Sequence, residues 1–427
     1  MNGKAQGLKR NLGLIEVTFA GTGIILGAGI YALLGRGAAL AGNAVWLAFL
    51  ISAGIALFTG LSYAELSSIF PRASAEYEYT AESFGRRSAF VIGWLIILSG
   101  VIASATVAVG FGGYFSDLFQ VNLIYPAIVL VAALAFVLYI GVRESAFIAI
   151  AFTLIEASGL LLITIIGIPY IGSVNLFELP FGIEGLLEAS ALLFFAYLGF
   201  EDIVKMSEET REPETTIPRG LLLALAFSIV LYVITSVSAV SVIGYQELAA
   251  SPAPFSTVAE VAIGGAGSLV LSVIALFATA NTVLLMMYAA SRIIFGMAES
   301  FSLPSLFARV DPVRQTPYFA ILAVMIFTML FTFIGDIGFI ANLTNFTLFV
   351  TFVAINAAVI TLRYTKPTLH RPFRVPLNIG AFPLIPLFGI LSSILLLFQL
   401  TPTVLILGGL MTLIGVIIAF AGFRQGR

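Results

Sequence analysis

The chain has no cysteine and a single histidine, His370, in 427 residues. Disulfides, thiolate nucleophiles and cysteine-based metal sites are excluded. With one histidine in a basic loop, a zinc site is not expected, and a Ser-His-Asp set cannot be assembled. Charge is scarce: Asp, Glu, Lys and Arg make up 10% of residues, against about a quarter in a soluble domain. A net charge of −2 provides no basic field for nucleic acid. No P-loop-type phosphate cradle occurs, so ATP-driven pumping is not expected. Nothing points to an enzyme, and no catalytic residue, cofactor or metal is assigned.

What the chain has instead is apolar surface, 60% of its residues. Residues 37–64, 88–116, 118–142, 220–246, 261–291, 315–335 and 337–362 contain no acidic or basic side chain. Residues 375–423 are charge-free and long enough for two membrane crossings, with a natural break at Thr401-Pro402. Crossing a bilayer takes about 20 apolar residues. Three further spans, 11–34, 145–171 and 185–206, carry internal acids, which gives an all-α integral membrane protein with twelve transmembrane helices. Lys4, Lys9 and Arg10 precede the first span as in a signal peptide, but that span is full-length and reads as an uncleaved helix.

The connections alternate between basic and basic-free. Of 20 Lys and Arg residues, only Arg36 falls on the poor side. The positive-inside rule then puts both termini in the cytoplasm of a multi-pass cell-membrane protein. The link around Pro252-Ala253-Pro254 is the longest on the outer side and suits a cap over the outer mouth.

Two spans are abnormal. The first contains Gly27-Ala28-Gly29 near its middle, and the sixth has Gly199 just before Glu201-Asp202. The glycines fit either close helix packing or an unwound turn. An unwound turn frees amides at the start of a half-helix, which attract a carboxylate. At the sixth span, the carbonyls of Phe195, Ala196 and Leu198 would favour a cation such as an α-amino group. Five spans separate the starts of the two abnormal ones, and paired interruptions of this kind point to a binding site in an inverted repeat. The expectation is a single domain over 1–427, with repeats at about 12–171 and 185–362 and two extra helices at about 380–423.

GIILGAGIYALLG (23–35) and FFAYLGFEDIVKMSEETREPETTIPRG (194–220), with GVRESA (141–146) and ASRIIFGMAES (290–300) followed by Leu303-Pro304, resemble the amino acid–polyamine–organocation transporters. The resemblance runs from about Leu12 to Arg374. It implies a leucine-transporter-type 5+5 inverted repeat, alternating access, and amino acid or amine substrates. By position, Ile25, Gly27, Ala28 and Gly29 match the family's carboxylate-binding loop. Phe195, Ala196 and Leu198 match its amino-group site, Phe195 also matches an aromatic gate, and Glu201 matches an acid after the sixth-helix break. The chain departs from the family with Ser74-Ala75 in place of a Gly-Gly pair. It departs again with Glu156, where many relatives carry a lysine that in some of them stands in for a sodium ion.

A buried ionisable group at mid-membrane is a functional hypothesis by default. Glu156 reads as a proton carrier, as a permanently protonated side chain bonded to a neighbouring helix, or as a metal-cation ligand. Sodium coupling fits less well, because the resemblance puts Phe277-Ala278, with Thr279 next, beside the first break, and one hydroxyl makes a poor oxygen cage. Lys205 can pair with Glu201 at i+4 or Asp202 at i+3. Glu208, Glu209, Arg211 and Glu212 read as a solvated hinge, Arg86-Arg87 and the basic residues of 363–374 as topological anchors, and Trp94 and Tyr114 as interfacial belt residues. Asn281 either lines the cavity or bonds a neighbouring helix. Val101, Ser104, Ala105, Asn342 and Asn345 are candidates to line a pocket with no Lys or Arg at mid-depth.

The expected function is a secondary active, proton-coupled transporter of neutral amino acids, with the amino acid, the proton and membrane lipid as its partners. An amino acid/amine exchanger is the alternative. An ion channel fits less well, since channels usually place few spans per subunit around a shared pore.

Overall fold

The structure is a computed structural model that describes residues 10–72, 75–141, 146–299 and 303–422. Lys4, Lys9, Ser74, Arg143 with most of its GVRESA motif, and Ser300 lie outside the described residues.

Apolar runs in lipid must satisfy every backbone group internally, so they fold as helices. In chain order these are α1 (Leu14–Leu26), α2 (Gly29–Ala41), α3 (Val45–Ile69), α4 (Ala75–Phe84), α5 (Arg86–Phe119), α6 (Ile124–Ile140), α7 (Ala146–Gly167), α8 (Gly182–Leu193), α9 (Pro213–Ala250), α10 (Pro254–Ile263), α11 (Gly265–Glu299), α12 (Tyr318–Thr332), α13 (Ile337–Thr365), α14 (Leu384–Leu397) and α15 (Pro402–Gly422). Among the described residues, 8 helices are long and apolar enough to cross a membrane. The segments expected as the fourth, ninth and eleventh spans form α6, α12 and α14, of 17, 15 and 14 residues. These are shorter than the roughly 20 residues of a perpendicular crossing.

Residues 375–383 do not begin a span, although they carry no charge. Asn378–Ile379 (β1) and Phe382–Pro383 (β2) pair antiparallel, and Gly380 turns between them with φ +62°. Pro402 opens α15 at its first position, where its missing N–H costs nothing.

The bundle is built from a few long pairings: α3 along α9, α5 along α11 and α13, α2 against α8, and α6 against α12, with α14 and α15 packed on the outside against α13. The two aromatics expected at the interface belong to this packing instead. Tyr114 is wholly buried, and its hydroxyl donates to the Tyr31 carbonyl at 3.0 Å. Trp94 is half-buried and donates from Nε1 to the Met411 carbonyl of α15 at 3.0 Å. In each case a neighbouring helix offers an acceptor that the lipid interface would otherwise supply.

One end of the bundle is tied by a buried ion cluster. Arg363 at the end of α13 grips Glu65 of α3 through Nε (2.8 Å) and Nη2 (2.6 Å). The Val375 amide donates to the same carboxylate at 2.8 Å, and Arg371 approaches it at 3.4 Å. Arg371 also donates to the Leu362 and Lys366 carbonyls at the end of α13. Removing one partner of a buried pair strands the other charge. Glu65→Gln is therefore expected to destabilise the protein by about 3–5 kcal/mol, seen as a lower midpoint of thermal unfolding in detergent. An unchanged midpoint would contradict this role for the cluster.

Candidate functional site

The first span is broken where its small residues sit. α1 ends at Leu26, Gly27 leaves helical geometry (φ −36°, ψ −172°), and α2 starts at Gly29. The break and the close packing occur together. A Cβ on Gly29 would fall 2.6 Å from Ala196 Cα, and one on Gly27 would fall 2.8 Å from Thr282 Oγ1.

The sixth span is broken opposite. α8 ends at Leu193, Phe194–Tyr197 form one 3₁₀ turn, Leu198 is extended, and a second 3₁₀ segment runs over Phe200–Glu209. Gly199 between them has φ +109°, and a Cβ there would meet Ile24 Cγ2 at 2.6 Å.

The opened backbone is largely re-satisfied by side chains from other helices. Tyr232 of α9 reaches both breaks, with its hydroxyl 2.6 Å from the Ile25 carbonyl and 2.9 Å from the Ala196 carbonyl. Thr282 of α11 accepts the Ala28 amide at 3.0 Å. Asn345 of α13 donates to the Ala191 and Leu192 carbonyls at 2.7 and 3.1 Å, so it serves the end of α8. What remains is polar in two senses. The amides of Gly29, Ile30 and Tyr31 open α2 as N-terminal donors with no acceptor among the described residues. At the sixth-span break, the Leu198 carbonyl accepts no hydrogen bond among the described residues, while those of Phe195 and Ala196 each accept one there and keep a second lone pair. A positive helix end and a set of free carbonyl lone pairs thus lie at two breaks that pack against each other.

The acids after Gly199 divide their work. Glu201 accepts the Gly199 amide through Oε2 at 2.9 Å, and Lys205 pairs with Asp202 rather than Glu201. The segment is a 3₁₀ helix, in which i and i+3 side chains eclipse, and that selects the i+3 partner. Both acids and Lys205 line a cavity of ≈ 40 Å³ beside Leu198, with Ser99, Gly100 and Thr351. It has room for a few waters at most. From α5 the lining residues lie a turn nearer the basic end than Val101, Ser104 and Ala105, which are buried in packing. Asn342 lines a separate cavity near Arg36 and Asp336.

Over residues 12–422 the sequence matches the amino acid permease family. The chain belongs to that family. Among its relatives, the branched-chain amino acid permease BcaP of Bacillus subtilis is 30% identical over 98% of this chain and 94% of its own. The methylthioribose transporter of the same organism is 30% identical over 90% and 87%. The vacuolar cationic amino acid transporter 4 of Arabidopsis thaliana is 27% identical over 84% of this permease and 64% of its own length.

Glu156 lies behind the first break of the permease and is buried. Its Oε1 accepts Asn281 Nδ2 at 3.0 Å, and its backbone carbonyl accepts the Tyr31 hydroxyl at 2.6 Å. Asn281 therefore bonds a neighbouring helix, and its own Oδ1 is buried without a partner. The hydroxyl at the first break is Thr282, not Thr279, which bonds back to its own helix at Ala275 and Leu276. Phe277 packs edge-on against Phe152 instead. Thr282 lies three residues beyond Thr279 on one helical face, so the spacing held the signal. Nothing in the charge-free run around Tyr232 announced that residue.

Thr210 pairs with Leu12, and the Glu209 carbonyl accepts the Asn11 and Leu12 amides, which ties the charged segment after the sixth-span break to the start of α1.

Tyr232→Phe removes a hydroxyl that spans both breaks. A lost hydrogen bond leaving buried carbonyls unpaired costs about 1–3 kcal/mol. Amide hydrogen exchange is expected to rise at residues 25–29 and 196–199 more than elsewhere. Equal protection in both proteins would contradict the bridge.

Proposed function

We propose that this permease is a secondary active transporter of neutral amino acids, driven by protons, with its substrate held between the two helix breaks. The observation that carries the reading is the pairing of unsatisfied groups across those breaks. The α-carboxylate meets the free amides of Gly29, Ile30 and Tyr31 at the start of α2, with Ile25, Gly27 and Ala28 shaping that loop. The α-amino group meets the Leu198 carbonyl and the spare lone pairs of Phe195 and Ala196, and the Phe195 ring closes over the side chain. Among the described residues the charges beside the breaks are engaged, Glu201 with the Gly199 amide and Lys205 with Asp202, which favours an uncharged side chain. The branched-chain specificity in one relative's name agrees with this. The cationic specificity named in another supplies the competitor to test.

The present cavity is too small for an amino acid, so binding requires the helices to part. This supports alternating access, with the cavity at the basic end as the inner mouth and α10 over the outer one. Phe255 of α10 packs edge-on against Tyr31 at 5.1 Å. A 5+5 inverted repeat of twelve spans gains support from the packing. The spans expected to be equivalent lie against one another: the second half of the first with the first half of the sixth (α2 with α8), α3 with α9, α5 with α11, and α6 with α12. Positive-inside topology then puts both termini in the cytoplasm of a cell-membrane protein.

Glu156 is the proton carrier in this reading. Deprotonated, its carboxylate accepts from Asn281 Nδ2. Protonated, it donates to Asn281 Oδ1, which now lacks a partner. Its backbone carbonyl is linked through Tyr31 to the first turn of α2, so a change at Glu156 is felt at the carboxylate site. Glu201, bonded to the Gly199 amide, is the second candidate.

The test is uptake of labelled amino acids into proteoliposomes with and without an inward proton gradient. The expected result is gradient-stimulated uptake, competed by alanine or leucine and not by arginine or glutamate. Glu156→Gln is expected to abolish the stimulation while leaving exchange of internal for external amino acid intact. Uptake that ignores the gradient and needs internal amino acid would identify an exchanger. Competition by arginine alone would overturn the neutral substrate.

A further inference from the structure

A second site lies at the basic end of the bundle, away from the helix breaks. A groove of ≈ 380 Å³ runs between α4, α5, α13 and α15, walled by Phe84, Val91, Ala354, Val416 and Ala419. It is nearly all apolar along its length and polar at one end. At that end α5 begins with Arg86 and Arg87, and no acid stands in its first turn. Cations at a helix N-terminus oppose the helix dipole. The nearby carboxylates of α4 are engaged elsewhere, Glu78 by Arg72 and Glu82 by Lys366. The amides of Arg86, Arg87 and Ser88 have no acceptor among the described residues. Arg87 holds its guanidinium 4.9 Å above the Phe420 ring, at the mouth of the groove. Inside, the Thr80 hydroxyl is fully buried and makes no hydrogen bond among the described residues.

We infer that this groove binds an anionic phospholipid. The phosphate sits on the first turn of α5, where two arginines and three free amides lack a counter-charge. One acyl chain lies in the apolar channel, and a glycerol or ester oxygen meets the Thr80 hydroxyl. Basic pockets between membrane helices take such headgroups, and the apolar length of this one selects a lipid over a free anion. The same short helix serves both regions: Thr80 lies one turn from Glu76, which lines the cavity beside Leu198.

Native mass spectrometry of the full chain in detergent, titrated with phosphatidylglycerol or phosphatidylcholine, tests the site. The wild type is expected to retain phosphatidylglycerol in preference to phosphatidylcholine. The Arg86→Gln, Arg87→Gln double variant is expected to bind phosphatidylglycerol about thirtyfold more weakly, with phosphatidylcholine unchanged. Ala419→Trp fills the channel and keeps both charges, and it is also expected to lose the lipid. It carries the test should the double variant fail to fold. Equal retention of the two lipids by the wild type would overturn the proposal. So would full binding by the double variant, displacement of the lipid by inorganic phosphate with Ala419→Trp unaffected, or a second copy of the chain covering the groove in place of lipid.

Discussion

The structure depends on one constraint: a helix opened inside an apolar bundle exposes backbone donors and acceptors that neither lipid nor apolar side chains can satisfy. Two helices are opened here, at Gly27-Ala28 and Leu198-Gly199, and most of the freed groups are met by Tyr232, Thr282 and Asn345 from three other helices. Among the described residues, the groups left over are three amides at one break and a carbonyl at the other. Their arrangement is complementary to a zwitterion because the two half-helix ends carry opposite dipole signs. In the proposed reading, binding and folding draw on the same backbone chemistry.

The close approach of the two breaks requires glycine. Gly29 lies against the backbone of Ala196, and Gly199 against Ile24, at distances no Cβ could tolerate. Contact this tight leaves little space between the breaks, so the proposed binding there calls for a movement of helices rather than diffusion into a preformed pocket. The buried Glu65–Arg363 pair and the Arg371 contacts at the end of α13 give that movement a fixed frame on the basic side.

Much of this was legible in the sequence, for physical reasons. Apolar runs that cross the bilayer are forced to be helical, and the consecutive small residues at Gly27-Ala28-Gly29 and the Gly199-Phe200-Glu201 sequence mark where a helix can open. Glu156 was conspicuous as an acid in an apolar span. Span length was less legible, because hydropathy counts residues up to the next charge while a helix ends at its caps. α6, α12 and α14 are accordingly shorter than their apolar runs, and part of one run folds as the β1–β2 hairpin. The supporting shell was not legible. Tyr232, Tyr31 and Tyr114 lie in apolar surroundings where tyrosine is ordinary, and their hydroxyls acquire meaning only when an opened backbone faces them. Thr282 was missed by one helical turn, since a family likeness fixes a segment more firmly than a rotational register.

The claim that the α2 amides take the substrate carboxylate is tested most directly by amide hydrogen exchange at residues 29–31. The transported amino acid would be compared with its decarboxylated amine and its deaminated acid. The account predicts protection of these amides by the amino acid, weaker protection by the acid and none by the amine. Equal protection by the amine, or an amino acid that leaves these amides unprotected while being transported, would contradict it.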